Sequence, residues 1–218
     1  MGLLASLDGE TRAAVEARLS ARDYAGGEEI VSYLNVERDI FFMLSGSARV
    51  KIYAETGKVV DYRTIQAGDM FGEVAAIDGG PRSASVIAEG PSRVGRLRHG
   101  DFERLCIEVP VFNQAVLVHL TDIIRRLTER VLEFSVLPGA RRLVLEIVRL
   151  AEETGAESGR VALENVPTHH EIAARISSHR EAVSRQMSAL QRAGLVKKEQ
   201  GRLIVPDLDA LRSVAEEA

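Results

Sequence analysis

Apolar positions change their period twice along the chain. Residues 7–20 place Leu7, Val15 and Leu19 on one side of a short amphipathic helix. From Gly26 to Leu97 the pattern becomes short apolar runs cut by turn residues. The runs are Glu29-Ile30-Val31, Ile40-Phe41-Phe42-Met43-Leu44, Ala48 with Val50 and Ile52, Val59-Val60 with Tyr62, Met70-Phe71, Ala84 with Val86 and Ile87, and Val94 to Leu97. Glycines such as Gly46, Gly57, Gly68, Gly72 and Gly90 lie between them. Many short strands at near-regular spacing predict an all-β sandwich or barrel.

Past Pro110 the helical period returns. Val116, Leu120, Ile123, Leu127, Val131 and Phe134 recur at steps of three and four, which predicts one long helix from Val111 to Phe134. Such a helix can simply pack on the β domain or can also form a dimer seam. The seam is the favoured reading, because Arg125, Arg126, Glu129 and Arg130 lie off the apolar stripe. Pro138-Gly139 breaks the helix, another helix covers Ala140 to Ala151, and Thr154 to Gly159 is turn-rich. Expected boundaries are therefore a β domain over 1–109, a dimerisation helix over 110–137 and a C-terminal domain over 138–218.

The C-terminal domain carries two helix-start signals in close succession. Thr168-His169-His170-Glu171 is a capping box, and Ser178-His179-Arg180-Glu181 repeats it ten residues later. Ile172, Ala173 and Ile176 give the first helix an apolar face, and Ala182, Val183, Met187 and Leu190 do so for the second. Gly194 stands where a helix end favours a left-handed residue. Two helices with little room between them predict a helix-turn-helix, followed by a hairpin wing over Leu195–Val205 that turns near Gln200-Gly201. On the second helix Arg180, Glu181, Ser184, Arg185 and Ser188 share the face opposite the core. An arginine fork matches guanine O6 and N7, and a glutamate accepts from cytosine N4. The bland alternative is a solvated face with an intrahelical Glu181–Arg185 pair.

Composition adds a few bounds. With 218 residues, 45% of them hydrophobic, the chain is long enough for two modest domains. The net charge of -4 argues mildly against a nucleic-acid binder, but the basic residues are local. Ile172–Val205 holds Arg175, Arg180, Arg185, Arg192, Lys197, Lys198 and Arg202 against Glu181 and Glu199 alone. Cys106, the one cysteine, supplies neither an internal disulfide nor an iron–sulfur cluster. The residues after Met1 lack a signal peptide's features, and no 18-residue apolar run exists, so a cytoplasmic protein without membrane attachment is expected. There is no Walker loop, no G-x-G-x-x-G, no plausible catalytic triad and no metal-ligand cluster, so the expectation is a non-enzyme without a tightly bound cofactor.

One further segment carries chemistry: Phe71-Gly72-Glu73-Val74, a linker expected to be mobile, then Arg82-Ser83-Ala84. Glycine allows close backbone approach, a carboxylate suits a sugar hydroxyl, and arginine beside a hydroxyl suits a phosphate. This segment resembles the phosphate-binding cassette of the cyclic AMP receptor/FNR superfamily of bacterial transcription regulators. The long helix, helix-turn-helix and wing follow in that family's order. The resemblance implies an α+β fold, with an N-terminal cupin-like β-roll, a dimerisation helix and a C-terminal winged helix-turn-helix. It implies cyclic AMP, or cyclic GMP, as effector, with Gly72 and Glu73 on the ribose and Arg82 and Ser83 on the cyclic phosphate. The family's base-facing Thr-Ser pair falls on Leu127-Thr128, where Thr128 can hydrogen-bond and Leu127 cannot, which leaves the base open.

The same resemblance implies a homodimer on double-stranded DNA, with RNA polymerase as a partner if the protein is an activator. Its operator would be close to TGTGA-N6-TCACA. The DNA-facing set is Thr168, His179, Arg180, Glu181, Ser184, Arg185, Lys198 and Arg202. Alternatives are a cyclic-GMP-responsive or effector-independent regulator and, further off, a haem or redox sensor. His119 is the histidine that could serve as a haem ligand, although a helix-surface role is the simpler expectation. A cyclic-nucleotide-regulated enzyme or channel would need a catalytic domain or membrane spans.

Overall fold

A strand turns successive side chains to opposite faces, so the run Ile40-Phe41-Phe42-Met43 needs cover on both sides. The computed structural model, which describes residues 2–53, 59–164 and 166–217, shows where that cover comes from. Its first compact unit, Met1–Arg126, opens with α1 (Leu3–Ser6) and α2 (Gly9–Glu16). Strands β1 (Ser20–Tyr24), β2 (Glu29–Val31), β3 (Ile40–Ser45), β4 (Ser47–Tyr53), β5 (Val59–Gln66) and β6 (Met70–Phe71) follow. Then come α3 (Glu73–Asp78), β7 (Ser85–Ala88), β8 (Ser92–Leu97), α4 (His99–Glu108) and α5 (Pro110–Val136). Gly57, expected at a turn, lies outside the described residues.

Two antiparallel sheets result, ordered β1-β8-β3-β6 and β2-β7-β4-β5. Phe41 and Met43 join Val31, Val50, Ile65, Phe71, Val86 and Val94 in a core drawn from both sheets. Ile40 and Phe42 face the other way, with Leu3, Leu4, Val15, Met70, Leu97, Phe102, Leu105, Phe112 and Val116 of the strands and helices. One sheet is thus sandwiched, which explains its unbroken apolar run.

The single helix expected over 7–20 is corrected. Leu7 is extended, Asp8 caps α2 by accepting from the Thr11 amide, and the helix ends at Glu16. The chain then forms β1, paired with β8 from Ser20↔Arg96 to Tyr24↔Ser92. Ladder hydrogen bonds and the demands of sheet assembly outweigh the local helical spacing here. The first part of the linker expected after Glu73 is helical, since α3 runs to Asp78, and Gly79, Gly80 and Pro81 follow it outside regular structure.

Along α5 the predicted stripe divides. Phe112 and Val116 are buried in the unit's own core. Leu117, Val118, Ile124, Leu127, Val131, Leu132, Phe134 and Val136 are exposed. Positions 117, 124 and 131 lie seven apart, a heptad row that the sequence reading did not pick out.

The second unit, Leu127–Ala218, takes in the end of α5. Next come α6 (Gly139–Glu152), β9 (Val161–Leu163), α7 (His169–Arg175), α8 (Arg180–Arg192), β10 (Lys197–Glu199), β11 (Arg202–Val205) and α9 (Leu208–Glu217). The three strands pair antiparallel as β10-β11-β9. Leu143, Ile147, Ile172, Ile176, Val183, Met187, Val205 and Leu211 share one core. Among the described residues no single helix is long and apolar enough to cross a membrane.

Candidate functional site

In the first unit, the β6–α3 corner and the chain before β7 build the cassette. Gly72 is the N-cap of α3 at φ 85°, a left-handed conformation that glycine adopts without strain. A Cβ on Gly72 would also lie 2.8 Å from Arg82 Nη1 and 3.2 Å from the Asp39 carbonyl oxygen. The loop before β3 seats Arg82, whose amide donates to the Asn35 carbonyl at 2.8 Å.

Arg82 is 3% exposed. Its Nη1 donates to the Gly72 carbonyl and its Nη2 to the Asp39 carbonyl, each at 2.7 Å. The guanidinium lies 5.5 Å from the Phe41 ring centroid, and Phe41 stacks in turn on Phe71. Burial pulls the Arg82 pKa below its ordinary value, opposed by the fields of Asp39, Glu37 and Glu73. The Asp39 carboxylate is already taken, by the Arg96 side chain and the His99 amide. No carboxylate among the described residues forms an ion pair with Arg82.

Glu73 is buried in the first turn of α3, and its carboxylate makes no hydrogen bond among the described residues. Ser83 and Val74 are exposed, and Ala84 is half-buried. The chain thus brings a buried cation and a buried acceptor to one corner. Asp39 and Phe41, which sequence reasoning did not assign to the site, reach it through sheet pairing.

His119 does not behave as a helix-surface histidine. Its Nε2 is buried without a hydrogen-bond partner among the described residues. Burial lowers its pKa, with Glu73 and Asp69 raising it and Arg63 and Arg126 lowering it. Leu127 and Thr128 are exposed on α5 and fall in the second unit.

The second unit contains a winged helix-turn-helix. The Thr168 capping box is present: its hydroxyl accepts from the Glu171 amide, and the Glu171 carboxylate accepts from the Thr168 amide. The second expected box is corrected. His179 is the N-cap of α8, with no side-chain cap, because Ser177 takes a positive φ of 49° and shifts the helix start by one residue. Gly194 has φ 74°, as a helix end favours.

The wing turns through Gln200 at φ 49° and Gly201 at φ 82°, the two-residue geometry that suits a twisted hairpin. On α8, Val183 and Met187 are buried, while Arg180, Glu181, Arg185 and Ser188 are exposed and Ser184 is half-exposed. No ion pair among the described residues ties Glu181 to Arg185.

One member of the basic footprint, Arg175, is corrected. Arg175 is buried against Glu146 and cannot meet a phosphate. Arg202 is exposed, but pairs with Glu164 at 3.3 Å. Lys198 is exposed on β10. The sequence reading missed β9, which extends the wing sheet, and α9, which packs on α6.

Comparison with known proteins places these two sites in company. Residues 21–108 match the family model of the cyclic nucleotide-binding domain. Residues 141–214 match that of the Crp-like helix-turn-helix domain. The chain is 28% identical over 197 residues to the cyclic AMP receptor protein of Thermus thermophilus, covering 89% of this chain and 87% of that one. It is 22% identical over 213 residues to a CRP-like cAMP-activated global transcriptional regulator of Mycobacterium tuberculosis, covering 96% and 94%. In fold it is similar to a CooA variant from Carboxydothermus hydrogenoformans, at TM-score 0.80 and 20% identity, covering 99% of this chain and 96% of that chain.

Proposed function

Because the chain belongs to the Crp/Fnr superfamily of transcription regulators, we propose that it is a homodimer whose operator binding is switched by a cyclic nucleotide, cyclic AMP first. The observation that carries this reading is Arg82: a buried guanidinium held by two carbonyls and, among the described residues, paired with no carboxylate. A buried cation without a counter-ion is costly, and a cyclic phosphate supplies the missing charge with the bidentate geometry arginine favours. The buried Glu73 carboxylate is matched to a ribose hydroxyl, and exposed Ser83 adds a donor to the phosphate. Phe71, Gly72, Val74 and Ala84 shape the walls. Both named full-length relatives are called cyclic AMP regulators, which favours adenine.

The exposed row on α5 forms the dimer seam, and Thr128 of the partner meets the base. Two α8 helices then enter successive major grooves about 34 Å apart. Arg180, Glu181 and Arg185 read base edges of a TGTGA-like half-site, with His179, Ser184 and Thr168 near the backbone and Lys198 and Arg202 on phosphates. The nucleotide acts only through its differential affinity for two arrangements of the dimer. RNA polymerase is a partner if binding raises transcription, and the protein works in the cytoplasm.

Calorimetric titration with cyclic AMP and cyclic GMP tests the effector directly, in wild type and in Thr128→Ala. Binding of one nucleotide is expected, with the cyclic AMP/cyclic GMP ratio altered in the variant. No binding of either would leave an effector-independent regulator, and an unchanged ratio would remove Thr128 from the site.

A further inference from the structure

Within the second unit a cluster of charges links three helices. Glu146 of α6 accepts from Arg175 of α7 at 3.0 Å, Arg149 of α6 at 3.4 Å and Arg130 of α5 at 3.5 Å. Glu133 of α5 completes it, pairing with Arg149 and lying 3.8 Å from Arg130. Glu146 and Arg175 side chains are each only 5% exposed. One helical turn before Glu146, on the same face of α6, Arg142 makes a second junction. Its Nε donates to the Ile176 carbonyl at 2.9 Å, its Nη2 to the Ser177 carbonyl at 3.4 Å and its Nη1 to the Leu137 carbonyl at 2.9 Å. Phe134 lies between Arg130 and Arg142, at 5.5 and 5.6 Å from the two guanidinium carbons.

These contacts converge on one place. Arg175, Ile176 and Ser177 are the end of α7 and the turn that launches α8. The strained Ser177 backbone is gripped from α6, and α6 is gripped by the last turns of α5. Buried ion pairs are poor evidence of stability, since apolar residues of like volume often serve as well; their best-attested use is fixing one geometry among several. A cation at the C-terminal end of α7 also complements its dipole.

We propose that Glu146, acting through Arg175, is a positioning residue for DNA reading: it fixes the turn before α8, and so sets where Arg180, Glu181 and Arg185 meet the bases. The inference rests on the helix-turn-helix reading of DNA. It treats the buried Arg175 as an orienting group and not as a phosphate contact.

The test is the ratio of specific to non-specific DNA affinity at one salt concentration, measured on an operator selected by the wild type. The double variant Glu146→Leu/Arg175→Met removes the pair without changing net charge. Its melting temperature should stay near wild type and its non-specific affinity should be unchanged, while the ratio falls tenfold or more. Arg175→Lys, which keeps the cation, should hold the ratio within threefold. Glu146→Gln, which removes the charge that holds Arg175 and keeps the side-chain volume, should lower the ratio severalfold and serves if the double variant does not fold. A folded double variant with an unchanged ratio overturns the proposal, as does an unchanged ratio in Glu146→Gln. A wild type that selects no operator overturns the DNA reading itself, and this inference with it.

Discussion

Arg82 and Arg180 are one residue type in opposite surroundings. Arg82 is buried, tied to the Gly72 and Asp39 carbonyls, and paired with no carboxylate among the described residues. Arg82→Leu removes a charge-assisted contact of about 1.5–3 kcal/mol, so nucleotide affinity should fall by roughly ten- to a hundredfold. Calorimetry checks this, and circular dichroism checks that the β-roll survives the loss of two carbonyl bonds. Unchanged affinity would show that the cassette is assigned to the wrong residues. Arg180 is exposed at the first turn of α8, and its guanidinium forms no ion pair among the described residues. Arg180→Ala should relax selection at one position of the half-site by about 1–3 kcal/mol. Lys198→Ala should instead weaken binding to every sequence and reduce the salt slope by about one. Arg202→Ala should do the same less strongly, because Arg202 first has to leave Glu164. Site selection with each variant separates the two behaviours, and an equally sharp consensus from Arg180→Ala would remove Arg180 from base reading.

At the scale of elements, α5 divides its apolar residues between two tasks. Phe112 and Val116 are spent on the chain's own core, whereas Ile124, Leu127 and Val131 remain exposed. Val131→Glu should therefore convert a dimer to a monomer in sedimentation at micromolar concentration without loss of secondary structure. A dimer that persists would move the interface off this helix. The same helix marks what was legible in advance. Its period was clear from spacing alone, as were the capping box at Thr168, the Gly194 helix end and the Gln200-Gly201 turn, because each is a local rule of backbone chemistry. Gly72, Glu73 and Arg82 were singled out through the resemblance to a family motif, and the fold does bring them to one corner. What could not be read there is long-range. β1 displaced a helix because β8 needed a partner, His119 turned inward, and Arg175 left the basic footprint because Glu146 lies beside it. Asp39 reached Arg82 only through the sheet. Nothing in the spacing of these residues marks such pairings.

For the whole molecule, the account joins a nucleotide site in one unit to a DNA-reading surface in the other through the equilibrium of a dimer. Neither unit alone accounts for a switch. The nucleotide can change DNA affinity only by the factor with which it prefers one arrangement, and the DNA must change nucleotide affinity by the same factor. A coupling of 1–3 kcal/mol corresponds to about 5- to 150-fold. The most direct measurement is the affinity of the full-length protein for its selected palindrome at fixed salt, without nucleotide and with saturating cyclic AMP or cyclic GMP. Cyclic AMP is predicted to change operator affinity by at least fivefold and to leave non-specific affinity unaltered, and Arg82→Leu should need ten- to a hundredfold more cyclic AMP for the same change. Operator affinity that is identical with and without either nucleotide would contradict it.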